Sequence, residues 1–410
     1  MSRRSERLRD PRARTAVFAL AITLAIQVFT SLAATATSVL APEIGRDLGV
    51  APKLVGVFVG LIYAGAMSAS LVSGGFVERY GAIRVSQVCV MLCAAGVAMV
   101  VCYAARPELL LPMLLAAPIV IGLGYGPITP ASSHILARTA PPERMALTFS
   151  IKQTGVPVGA ALAGALLPAL AVSLGWHTAF IGVCVIGIGI ALIAQAARAR
   201  LDAHRIPDHS LSIAAVMAPL RLVLSTAALR ELALSSFTYA ALQVCLMSYL
   251  VVYLTESLGY SLVAAGLALT AANLGGIVGR ILWGFVADNF VAPRTLLGSL
   301  GVASGACAGL TVLFSAVWVP VALIAVCALF GMTAIGWNGV QLSEVARAAP
   351  AGKAGAVTGA SGFITFGGVL VGPPTYALVS SLTGGYRAGF ALFGALAVAS
   401  GARLIARHRK

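Results

Sequence analysis

Long apolar runs separated by short polar loops occupy almost the whole of this chain. A run of about 18 or more apolar residues is long enough to cross the hydrocarbon core of a membrane. Twelve such runs can be counted, and charged residues make up only 10% of the chain. Because backbone groups in lipid must hydrogen-bond within their own segment, each run is predicted to be a helix. The segments are residues 15–41, 54–77, 83–104, 109–137, 144–174, 177–197, 232–255, 260–286, 294–316, 319–345, 355–381 and 386–404.

Lysine and arginine are distributed unequally between the two sides of the membrane. Of the 28 such residues, 22 fall on the side of the N-terminus, four fall on the opposite side and two lie inside apolar segments. Because basic residues favour the cytoplasmic side, both termini are predicted to be cytoplasmic. An excess of arginine over lysine and abundant alanine are typical of a GC-rich bacterial source, so we expect a multi-pass protein of a bacterial inner membrane. The net charge of +15 is then explained by contact with anionic lipid, and no nucleic-acid partner is expected.

The two halves of the chain repeat each other. The only long hydrophilic stretch, residues 198–230, divides the apolar segments six and six. Gly65 and Gly74 match Gly275 and Gly284 at an offset of 210 residues, and further matches fall at 209. A parallel repeat of this kind predicts a substrate site between the halves. The predicted parts are an N-terminal six-helix bundle over 1–197, a cytoplasmic central loop over 198–230 and a C-terminal six-helix bundle over 231–410.

A glycine-rich loop motif follows the second segment, and a degraded copy follows the eighth. The first copy reads GGFVERYGAIR over 74–84, and the second reads GFVADNFVAPR over 284–294. Glycine lets helices approach closely, and the acid of each copy can pair with a base or with a helix N-terminus. The alternative is that the loop charges only set topology. The predicted gating and motif residues are Gly74, Glu78, Arg79, Gly81 and Arg84 in the first copy and Gly284 and Asp288 in the second, together with Arg280, eight residues before Asp288.

On these features the chain resembles the major facilitator superfamily over essentially its whole length. The resemblance rests on the twelve segments, the long central loop and both motif copies, although Glu78 stands where the family usually has aspartate. It implies an all-α integral membrane fold of twelve transmembrane helices in two pseudo-symmetric six-helix halves. It also implies alternating access, with the motif acting as a cytoplasmic latch. The stretch from Gly155 to Gly159 matches the antiporter motif of drug exporters only imperfectly, which weakens a drug-efflux assignment.

Lys152 and Arg280 are the two basic residues inside apolar segments. A charge at the bilayer centre costs roughly 2.5–3.5 kcal/mol, so each residue needs a partner, an aqueous cavity or a short path to the surface. Lys152 lies about 13 Å into the fifth segment, on the helix face that also carries Gly155 and Gly159. We predict that Lys152 is a positive anchor for substrate in a water-filled central cavity. A structural lysine paired across helices is the alternative, and for Arg280, which can reach the interface or Asp288, a structural role is expected.

Other polar residues in the apolar segments are expected either to line the same cavity or to bond between helices. In the family that the chain resembles, segments 1, 4, 7 and 10 line the cavity. Glu344 and His134 are candidate proton carriers, and the substrate itself is a third. Glu344 is also expected to pair with Arg347, three residues later. The predicted substrate-binding residues are Lys152, Gln153, Gln27, Tyr63, Tyr125, Tyr239, Gln243, Asn273, Asn338 and Gln341.

Signatures of other functional classes are missing from the sequence. It contains no GxxxxGK(S/T), HExxH or GxSxG pattern, so neither an ATP-driven pump within this chain nor an enzyme is expected. The seven cysteines lie in apolar runs without a CxxC pair, so no disulfide, metal or other cofactor is expected.

The sequence therefore predicts a secondary active transporter. No carboxylate is clearly central in the membrane, which favours an anionic substrate over a cationic one. We predict proton-coupled uptake of a small organic anion, a carboxylate, by a monomer. Proton-coupled efflux of a drug or metabolite is the alternative, and a non-transporting sensor of the same fold is a third interpretation.

Overall fold

The computed structural model describes residues 11–49, 55–104, 110–260, 262–315 and 317–408. These residues form seventeen α-helices, and no strand occurs among them. The helices are α1 Pro11–Val39, α2 Ala41–Leu48, α3 Val55–Tyr80, α4 Ala82–Ala104, α5 Leu110–Tyr125, α6 Ile128–Thr139, α7 Met145–Gln153, α8 Gly155–Leu174, α9 Trp176–Leu201, α10 Ile213–Ser225, α11 Ala227–Val252, α12 Leu262–Asn289, α13 Pro293–Val312, α14 Pro320–Ala334, α15 Asn338–Ala348, α16 Ala354–Thr383 and α17 Arg387–His408.

Twelve spans among the described residues are long and apolar enough to cross a membrane, as the apolar runs predicted. Three of them are built from two helices placed end to end: α5 with α6, α7 with α8, and α14 with α15. The sixth and seventh spans are separated by the central loop, in which α10 forms a short apolar helix. The all-α membrane fold with twelve spans is therefore confirmed.

Proline and glycine account for the interruptions of the fourth, fifth and tenth spans. Pro127, between α5 and α6, has no N–H to donate to the carbonyl four residues back. Pro157 has the same effect on the carbonyl of Gln153, where α7 gives way to α8 at Thr154. Between α14 and α15 the turn contains Gly336, which weakens helix propensity by roughly 1 kcal/mol. Irregular backbone at membrane depth is tolerated where it is buried in protein or lines a cavity. The residues around these breaks are therefore candidates for a binding site.

Close helix crossings repeat between the halves at corresponding glycines. On α8, a methyl group added to Gly159 would overlap the carbonyl of Val28 on α1. On α16, a methyl group added to Gly368 would overlap the carbonyl of Phe237 on α11. Both members of the second pair lie 209 residues after those of the first. The pseudo-symmetry of the two halves therefore extends to individual backbone contacts.

A second pair of close crossings also recurs at corresponding positions of the two halves. Gly65 on α3 abuts the carbonyl of Ile119 on α5, and Gly275 on α12 abuts the carbonyl of Ala328 on α14. Only glycine permits such approaches, because any Cβ would enter the neighbouring backbone. The match of Gly65 with Gly275 in the sequence thus marks a point where paired helices touch.

Backbone contacts divide the described chain into two compact units. The first unit comprises Met1–Pro141, Lys152–Leu222 and Ala349–Phe363. The second comprises Pro142–Ile151, Val223–Ala348 and Ile364–Lys410. The units follow contacts rather than chain order, so each contains one short segment from the other half of the sequence.

Candidate functional site

Lys152 lies about a third of the way along the fifth span. The span runs from Pro142 to Leu174, and Lys152 follows its start by about 15 Å of helix. That distance is about half of a hydrocarbon core of roughly 30 Å. The side chain is only 1% exposed and is among the largest fully buried side chains of the described residues. It occupies the last turn of α7, just before the interruption at Thr154.

Three uncharged oxygens surround the Lys152 ammonium group. Nζ donates to Oε1 of Gln27 at 2.7 Å, to Oε1 of Gln153 at 3.1 Å and to Oγ1 of Thr129 at 3.3 Å. These oxygens come from α1, α7 and α6, so three helices converge on one charge. These neutral oxygens replace water around the ammonium. A carboxylate that reached Nζ would add a charge–charge attraction to the hydrogen bond.

Close packing at Gly155 brings these groups together. A methyl group at this position would lie 3.0 Å from both Cβ and Cγ of Gln27, so glycine lets α8 approach α1. Gln27 also accepts from Thr129 Oγ1 at 3.4 Å, which links α1 to the start of α6. The sequence predicted Gln27 and Gln153 as residues that line the substrate cavity, but Thr129 was missed. Its only signal was a hydroxyl side chain two residues after Pro127 in an apolar segment.

A second polar group lies within the second unit. Asn338, at the start of α15, donates Nδ2 to Oε1 of Gln243 on α11 at 3.2 Å. One turn later, Gln341 donates Nε2 to the carbonyl of Leu232 at 2.7 Å. Its Oε1 is buried and accepts no hydrogen bond from the part of the chain that the structure describes. The group stands next to the interruption between α14 and α15.

Two other predicted binding residues, Tyr239 and Asn273, donate hydrogen bonds to backbone carbonyls. Tyr239 is buried, donates to the carbonyl of Leu297 at 3.1 Å and covers Gly301. Asn273 donates Nδ2 to the carbonyl of Leu269 in its own helix at 3.0 Å. The Tyr239 contact is a bond between helices, whereas the Asn273 contact lies within its own helix. The remaining predicted residues, Tyr63 on α3 and Tyr125 at the end of α5, are half-buried.

In the first motif copy, the acid binds the central loop. Oε2 of Glu78 lies 3.1 Å from Nδ1 of His209, and Arg79 reaches the carbonyl of His209 at 3.5 Å. Gly74 packs directly against Ala356 near the start of α16. The motif therefore ties the end of α3 to the loop that joins the two halves of the sequence.

Gly81 and Arg84 of the same copy lie at an aspartate that sequence reasoning missed. Asp202, after the end of α9, accepts backbone N–H groups of Ile83 at 2.8 Å and Arg84 at 3.0 Å. Burial raises the pKa of the Asp202 carboxyl, and the two N–H groups and nearby arginines oppose that rise. Gly81 has a φ of +93°, and a methyl group there would overlap the carboxylate. Glycine at this position therefore permits an acidic cap on α4.

In the second copy, Asp288 itself caps a helix. Its carboxylate accepts the backbone N–H groups of Ala146 at 3.0 Å and Leu147 at 2.8 Å, and Arg347 lies 3.2 Å from it. Gly284, one turn earlier on α12, packs against Ser150 of α7. The degraded copy thus holds the N-terminus of α7, at whose other end stands Lys152.

Glu344 does not pair with Arg347 as expected. Its carboxylate lies 2.7 Å from Nε of Arg294 at the start of α13, while Arg347 binds Asp288. A pair three residues apart on one helix contributes only about 0.2–0.5 kcal/mol, so contacts that link separate helices can displace it. Arg280 likewise binds elsewhere than Asp288: its side chain is 2% exposed and donates Nε to the carbonyl of Ile335 at 3.2 Å.

His134, the other candidate proton carrier, is half-buried on α6. It lies one turn before Arg138, and its electrostatic neighbours include His204 of the central loop. Gly355 at the start of α16 packs against its Cβ atom. His134 therefore lies where α6 meets α16 within the first unit.

Comparisons with known proteins agree on one family. The model of the Major Facilitator Superfamily matches residues 23–373. A hexuronate transporter of Bacillus subtilis is 24% identical over 391 residues, which cover 88% of this chain and 87% of that protein. A gentisate transporter of Corynebacterium glutamicum is 22% identical over 365 residues, which cover 84% and 75%.

Solved structures show the same architecture. The fucose:proton symporter of Escherichia coli superposes with a TM-score of 0.76 at 16% identity, covering 97% of this chain and 99% of that one. The human organic anion transporter MFSD10 superposes with a TM-score of 0.74 at 17% identity, covering 97% and 100%. At these identities, the likeness establishes the fold alone.

Proposed function

The chain belongs to the major facilitator superfamily, and within that family we propose that it imports a small organic anion together with protons. It is a multi-pass membrane transporter and not an enzyme. The single observation that carries the proposal is the Lys152 ammonium, buried inside a membrane span with hydrogen bonds to three uncharged oxygens.

Electrostatics favours a carboxylate at this position. Two opposite charges 4 Å apart attract by about 4 kcal/mol at an effective dielectric constant of 20. A substrate carboxylate can replace one or more of the neutral oxygens around Nζ and add a charge–charge attraction to the hydrogen bond that the ammonium donates. The oxygens that are not replaced then hold the ammonium in position.

The curated relatives support the class of substrate. The two full-length relatives are named as transporters of hexuronate and gentisate, and both compounds are carboxylates. Hexuronates carry several hydroxyl groups, and amide side chains bind hydroxyls well. We propose substrate contacts of that kind for Gln243, Asn338 and Gln341. The proposal extends to Tyr63 and Tyr125, whose phenol groups can donate or accept.

Proton coupling is proposed on energetic grounds. Moving one negative charge inward against an inside-negative potential costs about 2.3 kcal/mol per 100 mV. One proton carried with each monoanion removes that cost. Glu344 and His134 remain the candidate carriers, and the substrate carboxylate is the third. Protonation of Glu344 would release its ion pair with Arg294, which provides a switch on α15.

Transport by proteoliposomes tests this proposal. We expect labelled glucuronate or gentisate to accumulate under an inward proton gradient and to leak out when a protonophore is added. Lys152→Met should reduce the initial rate at least about tenfold, equivalent to 1.4 kcal/mol. Lys353→Met, which removes an exposed lysine, should leave the rate unchanged. Gradient-driven extrusion of lipophilic cations, with no carboxylate uptake, would instead support the efflux alternative.

A substrate-exchange assay can show which of the two candidate residues, Glu344 or His134, carries the proton. A carrier variant should lose gradient-driven uptake yet keep substrate-for-substrate exchange, since exchange needs no net proton movement. Glu344→Gln and His134→Asn should therefore be compared in both assays. If both variants keep normal gradient-driven uptake, the substrate itself carries the proton.

A further inference from the structure

An apolar groove runs along the exposed face between α4 and α9 in the first unit. It has a volume of about 720 Å³, and its walls include Val88 and Met91 from α4 and Ile188 and Leu192 from α9. These side chains are exposed, Leu192 to 70%. Both helices are membrane spans, so the groove opens toward lipid.

The groove has the length of one lipid leaflet. Its lining on α4 extends from Arg84 to Ala95, which corresponds to about 16 Å of helix. Half of a hydrocarbon core of roughly 30 Å is about 15 Å. Arg84 lies in the first turn of α4, at the end of the span, and Ala95 lies near its middle. One end of the groove therefore meets the interface and the other ends near the bilayer centre.

Polar side chains lie only at the interfacial end of the groove lining. Arg84 is exposed there, and Gln87 and Gln195 lie about one turn deeper. Nε2 of Gln87 donates to the carbonyl of Ala191 at 2.8 Å and to Oε1 of Gln195 at 3.0 Å. Because its oxygen accepts from Gln87, the Gln195 amide presents its nitrogen as a donor for a further acceptor.

The Asp202 cap positions Arg84 at this end. Its carboxylate binds the backbone N–H of Arg84 at 3.0 Å, so the first turn of α4 is attached to the end of α9. Arg198 and Arg205 are the electrostatic neighbours of Asp202. With Arg84, this end of α4 and α9 and the residues just after α9 hold three arginines to the one aspartate, which favours an anionic partner.

We propose that this groove binds one anionic phospholipid of the phosphatidylglycerol type. The phosphodiester pairs with the Arg84 guanidinium, and the Gln195 amide donates to a glycerol ester carbonyl. An acyl chain lies along Val88, Met91 and Leu192. From the interface inward, a phospholipid presents its charged phosphate, then its esters and then its hydrocarbon chains. The groove presents Arg84, Gln195 and apolar side chains in the same order. This site lies apart from Lys152 and does not depend on the transported substrate.

Native mass spectrometry of the purified protein tests the site directly. The protein is titrated with phosphatidylglycerol or with phosphatidylcholine of the same acyl chains. We expect wild type to retain one phosphatidylglycerol with about tenfold preference over phosphatidylcholine. Arg84→Gln should abolish the preference, and Leu192→Trp should reduce binding of both lipids by filling the groove.

Two substitutions outside the groove serve as controls. Arg221→Gln removes an exposed arginine of α10, and Ile193→Trp enlarges a residue that is 66% exposed but absent from the groove lining. Both should keep the wild-type lipid adduct. Equal retention of the two lipids by wild type, or an unchanged preference in Arg84→Gln, would overturn the proposal. A protein dimer that is lost in Leu192→Trp would overturn it in favour of a second copy of the chain.

Discussion

Lys152 and Gln27 show how single side chains can make a charged site at membrane depth. The Lys152 ammonium and the Gln27 amide oxygen are 2.7 Å apart and both side chains are buried. A neutral acceptor at that distance stabilises the ammonium by a hydrogen bond but leaves its charge to act on other groups. The identity of residue 27 therefore affects how strongly the lysine can attract an anion.

Replacing Gln27 by glutamate should block anion binding. Glutamate has almost the same shape, and its carboxylate would form an ion pair with Lys152 in a medium of low dielectric constant. We expect carboxylate binding to weaken more than about tenfold, while the melting temperature in detergent stays equal or rises. Isothermal titration calorimetry and a thermal melt measure the two effects. Unchanged carboxylate affinity in Gln27→Glu would mean that the anion binds away from Lys152.

Gly159 offers a test of the close crossing between α1 and α8. A methyl group there would overlap the Val28 carbonyl, whereas one at Gly164 on the same helix meets nothing within 4 Å. Gly159→Ala should destabilise the protein by about 1–3 kcal/mol through overpacking. Gly164→Ala should be neutral or slightly stabilising, since alanine is the better helix former. Melting curves of the two variants should therefore separate clearly.

The site was partly predictable at this scale. A lysine inside an apolar run is visible in the sequence, and polar residues of nearby segments are natural partners for it. Hydropathy gives the depth of a residue but not the direction in which it faces. This is why Thr129 was missed, and why the bond from Tyr239 to the backbone of α13 was not predicted.

At the scale of helices, acidic side chains hold helix N-termini in both units. Asp288 binds the first turn of α7, and Asp202 binds the first turn of α4. An anion at a helix N-terminus gains both hydrogen bonds and the favourable field of the helix dipole. Glu78, the repeat partner of Asp288, binds His209 instead. The acids of the two motif copies therefore bind different groups: one binds a helix N-terminus and the other binds a histidine of the central loop.

Removal of one charge at Asp288 should loosen the start of α7. Asparagine can accept with only one oxygen and carries no charge, so Asp288→Asn should cost about 1–2 kcal/mol through the lost hydrogen bond and the lost attraction to the helix dipole. Amide hydrogen exchange at Ala146 and Leu147 should then be roughly 5–30-fold faster. Asn289→Ala is the matched control, because Asn289 donates only within its own helix, to Phe285. Equal exchange in the two variants would show that the carboxylate does not hold this turn.

Element boundaries show which features of a fold hydropathy can reveal. The twelve spans were predictable because burial in lipid demands long apolar runs. The breaks at Pro127, Thr154 and Gly336 were not predicted, because the apolar character continues through them. Proline and glycine are also common inside unbroken membrane helices. Only the packing around each break decides between a bend and an interruption.

At the scale of the whole molecule, the two halves repeat each other, and Lys152 is an exception to that repeat. Crossing glycines recur at offsets of 209 and 210, so the two halves share one framework. Lys152 has no basic counterpart, since its repeat partner at an offset of 209 is Ser361. A framework feature should occur twice, whereas a substrate anchor needs to occur once. The asymmetry therefore supports a functional role for Lys152.

Charge balance leads to a prediction for the whole cycle. A monocarboxylate imported with one proton carries no net charge, so uptake should respond to the pH gradient but not to membrane potential. Without the proton, an inside-negative potential of 100 mV would lower accumulation by about 2.3 kcal/mol, or roughly 50-fold. Valinomycin-clamped proteoliposomes at fixed pH distinguish the two cases. A large loss of uptake at negative potential would rule out one-to-one coupling.

Calorimetric binding of a matched ligand pair tests the role of Lys152 most directly. Glucuronate and glucuronamide differ in charge but hardly in shape, as do gentisate and its amide. We predict that wild type and Lys353→Met bind one of the acids at least about tenfold more tightly than its amide. Lys152→Met should bind that acid and its amide alike. If Lys152→Met keeps the preference for the acid, the buried lysine is a structural residue and the anion is bound elsewhere.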